Sequence, residues 1–302
     1  MAFIDVQHVS KHYAAHTALD DVSLSVQAGR VFGLLGPNGA GKTSLIRIIN
    51  RITAPDSGTI LFDGHPLKSE DVARIGYLPE ERGLYRKMKV GDQAIYLSRL
   101  KGLCKAEAKK RLEQWFEKFD IMPWWDKKVE ELSKGMQQKV QFICTVLHEP
   151  DLLIFDEPFS GFDPVNAELL KSEILQLRDQ GRTIIFSTHN MQSVEEVCDD
   201  IALINRSRLV LSGTVEEIRA RYASPYVELR VDKGLSTEDL EHISPISSKL
   251  HQGQMVLKLM RREGESNRAL INRLPEHINI LEFHQEIPSM HEIFLNTVQN
   301  HD

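Results

Sequence analysis

The sequence predicts an α/β chain in which short buried strands form a parallel sheet. A β-rich stretch precedes that sheet, a helical insert interrupts it, and a small α+β tail follows. Three observations carry this reading. Apolar runs of strand length recur at Val31-Phe-Gly-Leu-Leu35, Asp151-Leu-Leu-Ile-Phe155 and Thr183-Ile-Ile-Phe186, without the polar alternation of a half-solvated strand. A glycine-rich octapeptide, Gly36-Pro-Asn-Gly-Ala-Gly-Lys-Thr43, joins the first run to a segment of helical spacing. Between about Val90 and Leu147 the period becomes helical, with Leu112, Trp115, Phe116 and Phe119 at i, i+3, i+4 and i+7.

From Ile4 to about Gly64 the signals are strands and turns: Gly29 ahead of the loop strand, Asp56-Ser-Gly58, then Thr59–Phe62 closed by Asp63-Gly64. The octapeptide fits the pattern G-x-x-x-x-G-K-[ST] at every fixed position. Gly36, Gly39 and Gly41 let the backbone bend, so that the loop, with Asn38 and Ala40 and on to Ser44, can aim N–H groups at a polyphosphate. Lys42 supplies a cation for the terminal phosphates, and Thr43 offers a hydroxyl to Mg²⁺. The segment Ser44–Ile49 would then point a helix N-terminus at the anion.

Within the helical stretch, Leu132-Ser-Lys-Gly-Met136 precedes a helix expected over Gln137–Leu147 and places Ser133 and Gly135 as a second anion-binding site. The run Leu152-Leu-Ile-Phe-Asp-Glu157 ends a strand on two carboxylates. Asp156 is placed to hold Mg²⁺ and Glu157 to polarise an attacking water. Successive strand residues face opposite sides, so both serve one site only if the chain bends after Asp156, as Pro158 suggests. An amphipathic helix over Ala167–Gln180, the strand Thr183–Ser187, a strand pair over Ile201–Leu211 and a charged helix over Val215–Arg221 complete the first part. Beyond a boundary at Tyr222–Pro225, strands are expected at Tyr226–Val231, Gln254–Met260 and Ile278–Ile287, with helical stretches near Glu238 and Arg268.

The 302 residues suffice for one large domain and a small one, and the formal charge of −6 argues against a chain that coats nucleic acid. The N-terminus has no basic region followed by an apolar run, and no stretch of about 18 apolar residues occurs. The expectation is a chain that is neither secreted nor membrane-spanning. Cys104, Cys144 and Cys198 are odd in number and in no ligand spacing, which fits a reducing cytosol and structural thiols.

In order and spacing these motifs resemble the ATP-binding-cassette (ABC) family over about residues 1–222, with a helical subdomain at about 90–148. The resemblance implies a P-loop NTPase cassette that hydrolyses ATP with Mg²⁺. It further implies two copies paired head to tail, each closing its Leu-Ser-Gly-Gly-Gln-type signature on the other's nucleotide. Lys134 and Met136 depart from that signature, while Ser133 and Gly135 keep it. Tyr13 takes the place of the aromatic residue that stacks on adenine, and His189 that of the histidine contacting the γ-phosphate. Ser160-Gly-Phe-Asp163 takes that of the D-loop coupling the two sites. Glu80 stands where the family has a glutamine that contacts Mg²⁺, and as a carboxylate it could bind the metal directly.

Residues 223–302 resemble the C-terminal accessory domain of exporter-type cassettes, including sodium and drug efflux ATPases. The implied role is the ATPase subunit of an exporter on the cytoplasmic face of the cell membrane. A separately encoded permease would dock near Glu80–Met88. The alternative is a non-transport ATP switch acting on soluble machinery.

Overall fold

The computed structural model describes residues 2–81, 83–160, 162–232, 235–251, 253–262, 264–285 and 287–300. Two compact units form, one from Met1–Val215 with Thr297–Asp302 and the other from Glu216–Asn296. The division between them falls between Val215 and Glu216, at the start of the helix Val215–Arg221.

The chain begins as an antiparallel pair, β1 (Ala2–Tyr13) and β2 (His16–Gln27), and continues through β3 (Val31–Leu35) into α1 (Lys42–Ile49). Next come β4 (Ser57–Phe62), β5 (His65–Pro66) and β6 (Ile75–Leu78), and then the helical insert of α2 (Val90–Leu100), α3 (Lys105–Lys118) and α4 (Lys134–Val146). The sheet resumes with β7 (Leu152–Asp156), α5 (Pro164–Asp179), β8 (Thr183–Thr188), α6 (Met191–Val197), β9 (Asp200–Asn205) and β10 (Arg208–Thr214). The chain then runs through α7 (Val215–Arg221), β11 (Tyr226–Val231), α8 (Thr237–Ile243), β12 (Ser247–His251), β13 (Gln254–Met260), α9 (Asn267–Ile271), β14 (Ile280–Gln285) and α10 (Met290–Asn300), of which Glu216 to Asn296 make up the second unit.

The central sheet has the order β10-β9-β3-β8-β7-β6, parallel from β9 to β6 with β10 added antiparallel at one edge. Every residue of β3, β7 and β8 is buried, which is why these strands read as unbroken apolar runs. The order makes β3, carrying the phosphate loop, the neighbour of β8, which in turn adjoins β7. The C-terminal ends of all three therefore open on one edge, where ligands of such sheets bind.

The N-terminal sheet, β2-β1-β4-β5, is antiparallel. On β1 the buried residues are Ile4, Val6 and then Val9, an alternation shifted by one position. The shift falls at His8, which takes φ 52° where the register slips between Val6 and Val9, so a bulge realigns the strand with the core. Burial of the insert rests on Leu112, Phe116 and Phe119 of the expected helical face.

In the second unit a β-α-β-β-α-β succession gives the antiparallel order β12-β13-β11-β14. Val227, Leu229, Val231, Leu257 and Leu259 alternate inward against Leu270 and Leu274. Strand β12 carries no apolar alternation and is exposed throughout, so its pairing to β13 was not expected from its residues. Helix α5 begins at Pro164, three residues before the expected start, because Asp163 caps it by accepting from Asn166 N. The expected strand 278–287 is shorter, and Glu286 within it lies outside the described residues. The three cysteines are free, and burial pushes the Cys144 thiol up to about 12.

Candidate functional site

The phosphate loop leaves β3 at Leu35 and enters α1 at Lys42, two residues earlier than the helical spacing indicated. Gly36 has φ 147° and Gly41 φ 115°, and a Cβ on either would lie 2.2 Å from a backbone oxygen, of Ile204 and Ala18 respectively. Glycine is required there by both conformation and space. Helix α1 has no acidic residue in its first turn, so its N-terminal amides are available to an anion. The Lys42 ammonium folds back on the loop, donating to Gly36 O at 2.6 Å and Pro37 O at 3.0 Å. Burial lowers its pKa, while Glu157, Asp156 and Glu80 act in the opposite direction.

Strand β7 delivers Asp156 in register with Ser187 of β8. Burial raises the Asp156 pKa, the charges of Glu157 and Glu80 add to the rise, and Lys42 opposes it. Asp156, Glu157, Glu80 and the Thr43 hydroxyl line the same cavity, but among the described residues no three acidic, histidine or cysteine side chains converge closely enough to hold a metal ion by themselves.

The expected bend after Asp156 takes the form of a left-handed Glu157, φ 49°, whose N–H donates to Ser187 O at 2.9 Å. That conformation is disfavoured for a residue with a side chain, and it turns the Glu157 carboxylate toward the same edge as Asp156. There it accepts from His189 Nδ1 at 2.6 Å, from His189 N at 2.9 Å and from Thr188 Oγ1 at 3.2 Å.

A cavity of about 240 Å³ gathers Tyr13, Asn38, Gly39, Ala40, Gly41, Lys42, Thr43, Ser44, Glu80, Asp156, Glu157 and His189. Gly36 lies behind it, buried, and shapes the loop. Ser133 and Gly135 do not line it. Ser133 instead caps α4, its Oγ accepting from Met136 N at 3.3 Å, with Lys134 exposed beside it. Of the Ser160–Asp163 turn, Gly161 lies outside the described residues, as does Arg82 of the Glu80–Met88 loop.

Two cavity residues escaped the sequence reading, His16 and Ala18. Tyr13 pairs directly with His16 across a two-residue turn, Ala14-Ala15, a dipeptide without the glycine, asparagine or aspartate that marks such turns, so no local signal pointed to His16. Tyr77, on the β6 strand that leads to Glu80, was also missed; burial and then Asp156 push its hydroxyl up to about 12.

Residues 19–160 match the family model described as ABC transporter, and residues 213–298 match that of the ATP-binding protein DrrA1-3-like, C-terminal domain. The chain is 41% identical over 297 residues to the ABC transporter ATP-binding protein YhaQ of Bacillus subtilis (strain 168), covering 98% of each chain. It is 28% identical over 302 residues to the linearmycin resistance ATP-binding protein LnrL of the same organism, covering 97% of each. A solved structure of an ATP-binding subunit of an ABC transporter superposes with a TM-score of 0.68 at 31% identity, over 73% of this chain and 93% of that one.

Proposed function

This chain belongs to the ABC transporter family of ATP-binding subunits, and from that premise we propose that two copies close head to tail over two ATP molecules to drive an exporter. As a member of that family it is an ATPase that powers a membrane transporter, working with separate transmembrane components. Among the described residues no helix is long and apolar enough to cross a membrane. Export is favoured by the similarity to a resistance-type relative and by the match of the tail to the DrrA-like domain.

One observation carries the composite site. Lys42, Asp156, Glu157 and His189 share a cavity, while Ser133, the second anion site read from the sequence, lies outside it. A second subunit is the natural source of the missing donor. Bound Mg²⁺ would be held by Thr43 and Asp156, with Glu80 beside them, and would supply charge neutralisation for the phosphates. Lys42 exchanges its two neutral loop carbonyls for charged phosphate oxygens, which accept stronger, charge-assisted hydrogen bonds. Glu157 takes the proton of the attacking water as it adds in line to the γ-phosphorus, the bond from phosphorus to the β,γ-bridging oxygen breaks and ADP leaves, and His189 and the partner copy's signature serine balance charge on the transferring group. The second unit, Glu216–Asn296, is the accessory domain, and the permease docks near Glu80–Met88 at the cytoplasmic face.

The test is Glu157→Gln. The variant should bind MgATP normally, lose at least about 100-fold in turnover and accumulate as a dimer on size exclusion in MgATP. Ordinary turnover by that variant would end the assignment of the base.

A further inference from the structure

Helix α4 starts at the signature serine, Ser133, and one turn further in it is tied to the catalytic turn of its own chain. Gln138, 6% exposed, donates from Nε2 to Pro158 O at 3.1 Å. Three residues on, along the same face, Gln141 donates to Glu81 O at 3.4 Å. Pro158 directly follows Glu157 in a turn closed by Ser160 N donating to Glu157 O at 3.1 Å, and the turn is held from the β8 side by Glu157 N donating to Ser187 O at 2.9 Å. Glu157 therefore sits in a disfavoured left-handed conformation between β8 and α4. Such a residue holds its place only while its surroundings over-determine it, so the loss or displacement of one clamp alters where its carboxylate points.

The distance from Ser133 to Gln138 along the helix axis is about 7.5 Å, five residues of rise within one hydrogen-bonded segment. A shift of the α4 N-terminus is thus delivered to Pro158 with little loss, because the helix between them is stiff. We propose that Gln138 is a positioning residue through which engagement of Ser133 by the nucleotide of the opposite subunit sets the Glu157 carboxylate of its own subunit. The proposal rests on the composite-site reading above. Its two states are Glu157 held by His189, as observed here, and Glu157 released toward the attacking water. Coupling of this kind would keep either site from hydrolysing before the other is loaded.

The experiment uses the full chain with Gln138→Met, which keeps the side-chain length and removes the donor, together with Ser133→Ala and the double variant. MgATP binding, steady-state turnover and thermal unfolding are measured for each. Gln138→Met should lose about tenfold in kcat, the worth of one buried hydrogen bond, with MgATP Kd changed by less than about twofold and the unfolding midpoint within a few degrees of wild type. The double variant should be no slower than the slower single variant, because both changes interrupt one path. Wild-type kcat in Gln138→Met overturns the proposal, and so do losses that multiply in the double variant. A kcat loss that follows a lowered unfolding midpoint assigns Gln138 a packing role and overturns it equally. If Ser133→Ala alone hydrolyses and dimerises normally, the composite site itself fails, whatever Gln138→Met does.

Discussion

His189 holds Glu157 with two donors on one oxygen: its ring Nδ1 at 2.6 Å and its backbone N–H at 2.9 Å, both to Oε1. Thr188 Oγ1 reaches the other oxygen at 3.2 Å. Both Glu157 carboxylate oxygens are thus engaged by the end of β8. On the reading proposed above, in which Glu157 is the base and His189 contacts the γ-phosphate, nucleotide binding would draw the histidine away from the carboxylate.

Replacing His189 by Ala removes both the ring donor to Glu157 and the proposed contact to the γ-phosphate, while leaving the backbone N–H in place. Turnover should fall by about 100-fold, with MgATP affinity changed far less, since the phosphate loop supplies most of the binding. Steady-state kinetics alongside equilibrium binding separate the two. A parallel loss in Kd and none in kcat would mean the ring serves binding alone.

Asp156→Asn should make the nucleotide-free protein more stable. The folded protein raises the Asp156 pKa, so the folded state holds this proton more tightly than the unfolded chain and loses stability as pH rises through that window. The gain from Asn is therefore full near neutrality and disappears once pH falls below the ordinary carboxylate range. Denaturant unfolding at pH 7 and pH 3 measures it. The same variant should lose metal-dependent hydrolysis.

Glu80→Gln removes one of three negative charges that face Lys42 in the cavity. Metal-free ATP should then bind about tenfold more tightly, and hydrolysis should saturate at a different Mg²⁺ concentration. Binding is measured in Mg²⁺ and in chelator. Identical ratios for wild type and variant would remove Glu80 from the metal-binding set.

Gly36→Ala and Gly41→Ala each put a Cβ 2.2 Å from a backbone oxygen at a positive φ. Each should cost about 2 kcal/mol or more and abolish nucleotide binding, because the loop must move to accept the methyl group. Gly39→Ala is the informative comparison. Its φ is 80° but no atom lies within 4 Å of the added Cβ, so only the conformational part of the cost remains. Thermal unfolding should rank Gly39→Ala as the mildest of the three.

Much of the fold was legible because its strands are short, apolar and fully buried, a pattern that needs no partner to be recognised. Strands β3, β7 and β8 fall where their apolar runs lie, and α3 buries the face that Leu112, Phe116 and Phe119 mark. Strand β12 was illegible for the opposite reason. Its Ser247-Ser-Lys-Leu-His251 has no buried face, so its extended form comes from hydrogen bonding to β13. Strand β6 and helices α6 and α10 also passed unread, each too short or too weakly patterned to stand out beside stronger neighbours.

The sequence by itself determined the chemistry: glycines at Gly36 and Gly41, a cation at Lys42, paired carboxylates at Asp156 and Glu157, and a histidine one strand later. Those identities follow from local rules of backbone freedom and charge, which neighbouring residues carry on their own. Tertiary structure alone decided how the groups meet. Strand order brings β3, β8 and β7 side by side, the left-handed Glu157 turns its carboxylate onto His189, and Gln138 reaches across from α4 to Pro158. Pairings between residues 20 to 32 positions apart depend on which surfaces pack, and no periodicity within either segment encodes them.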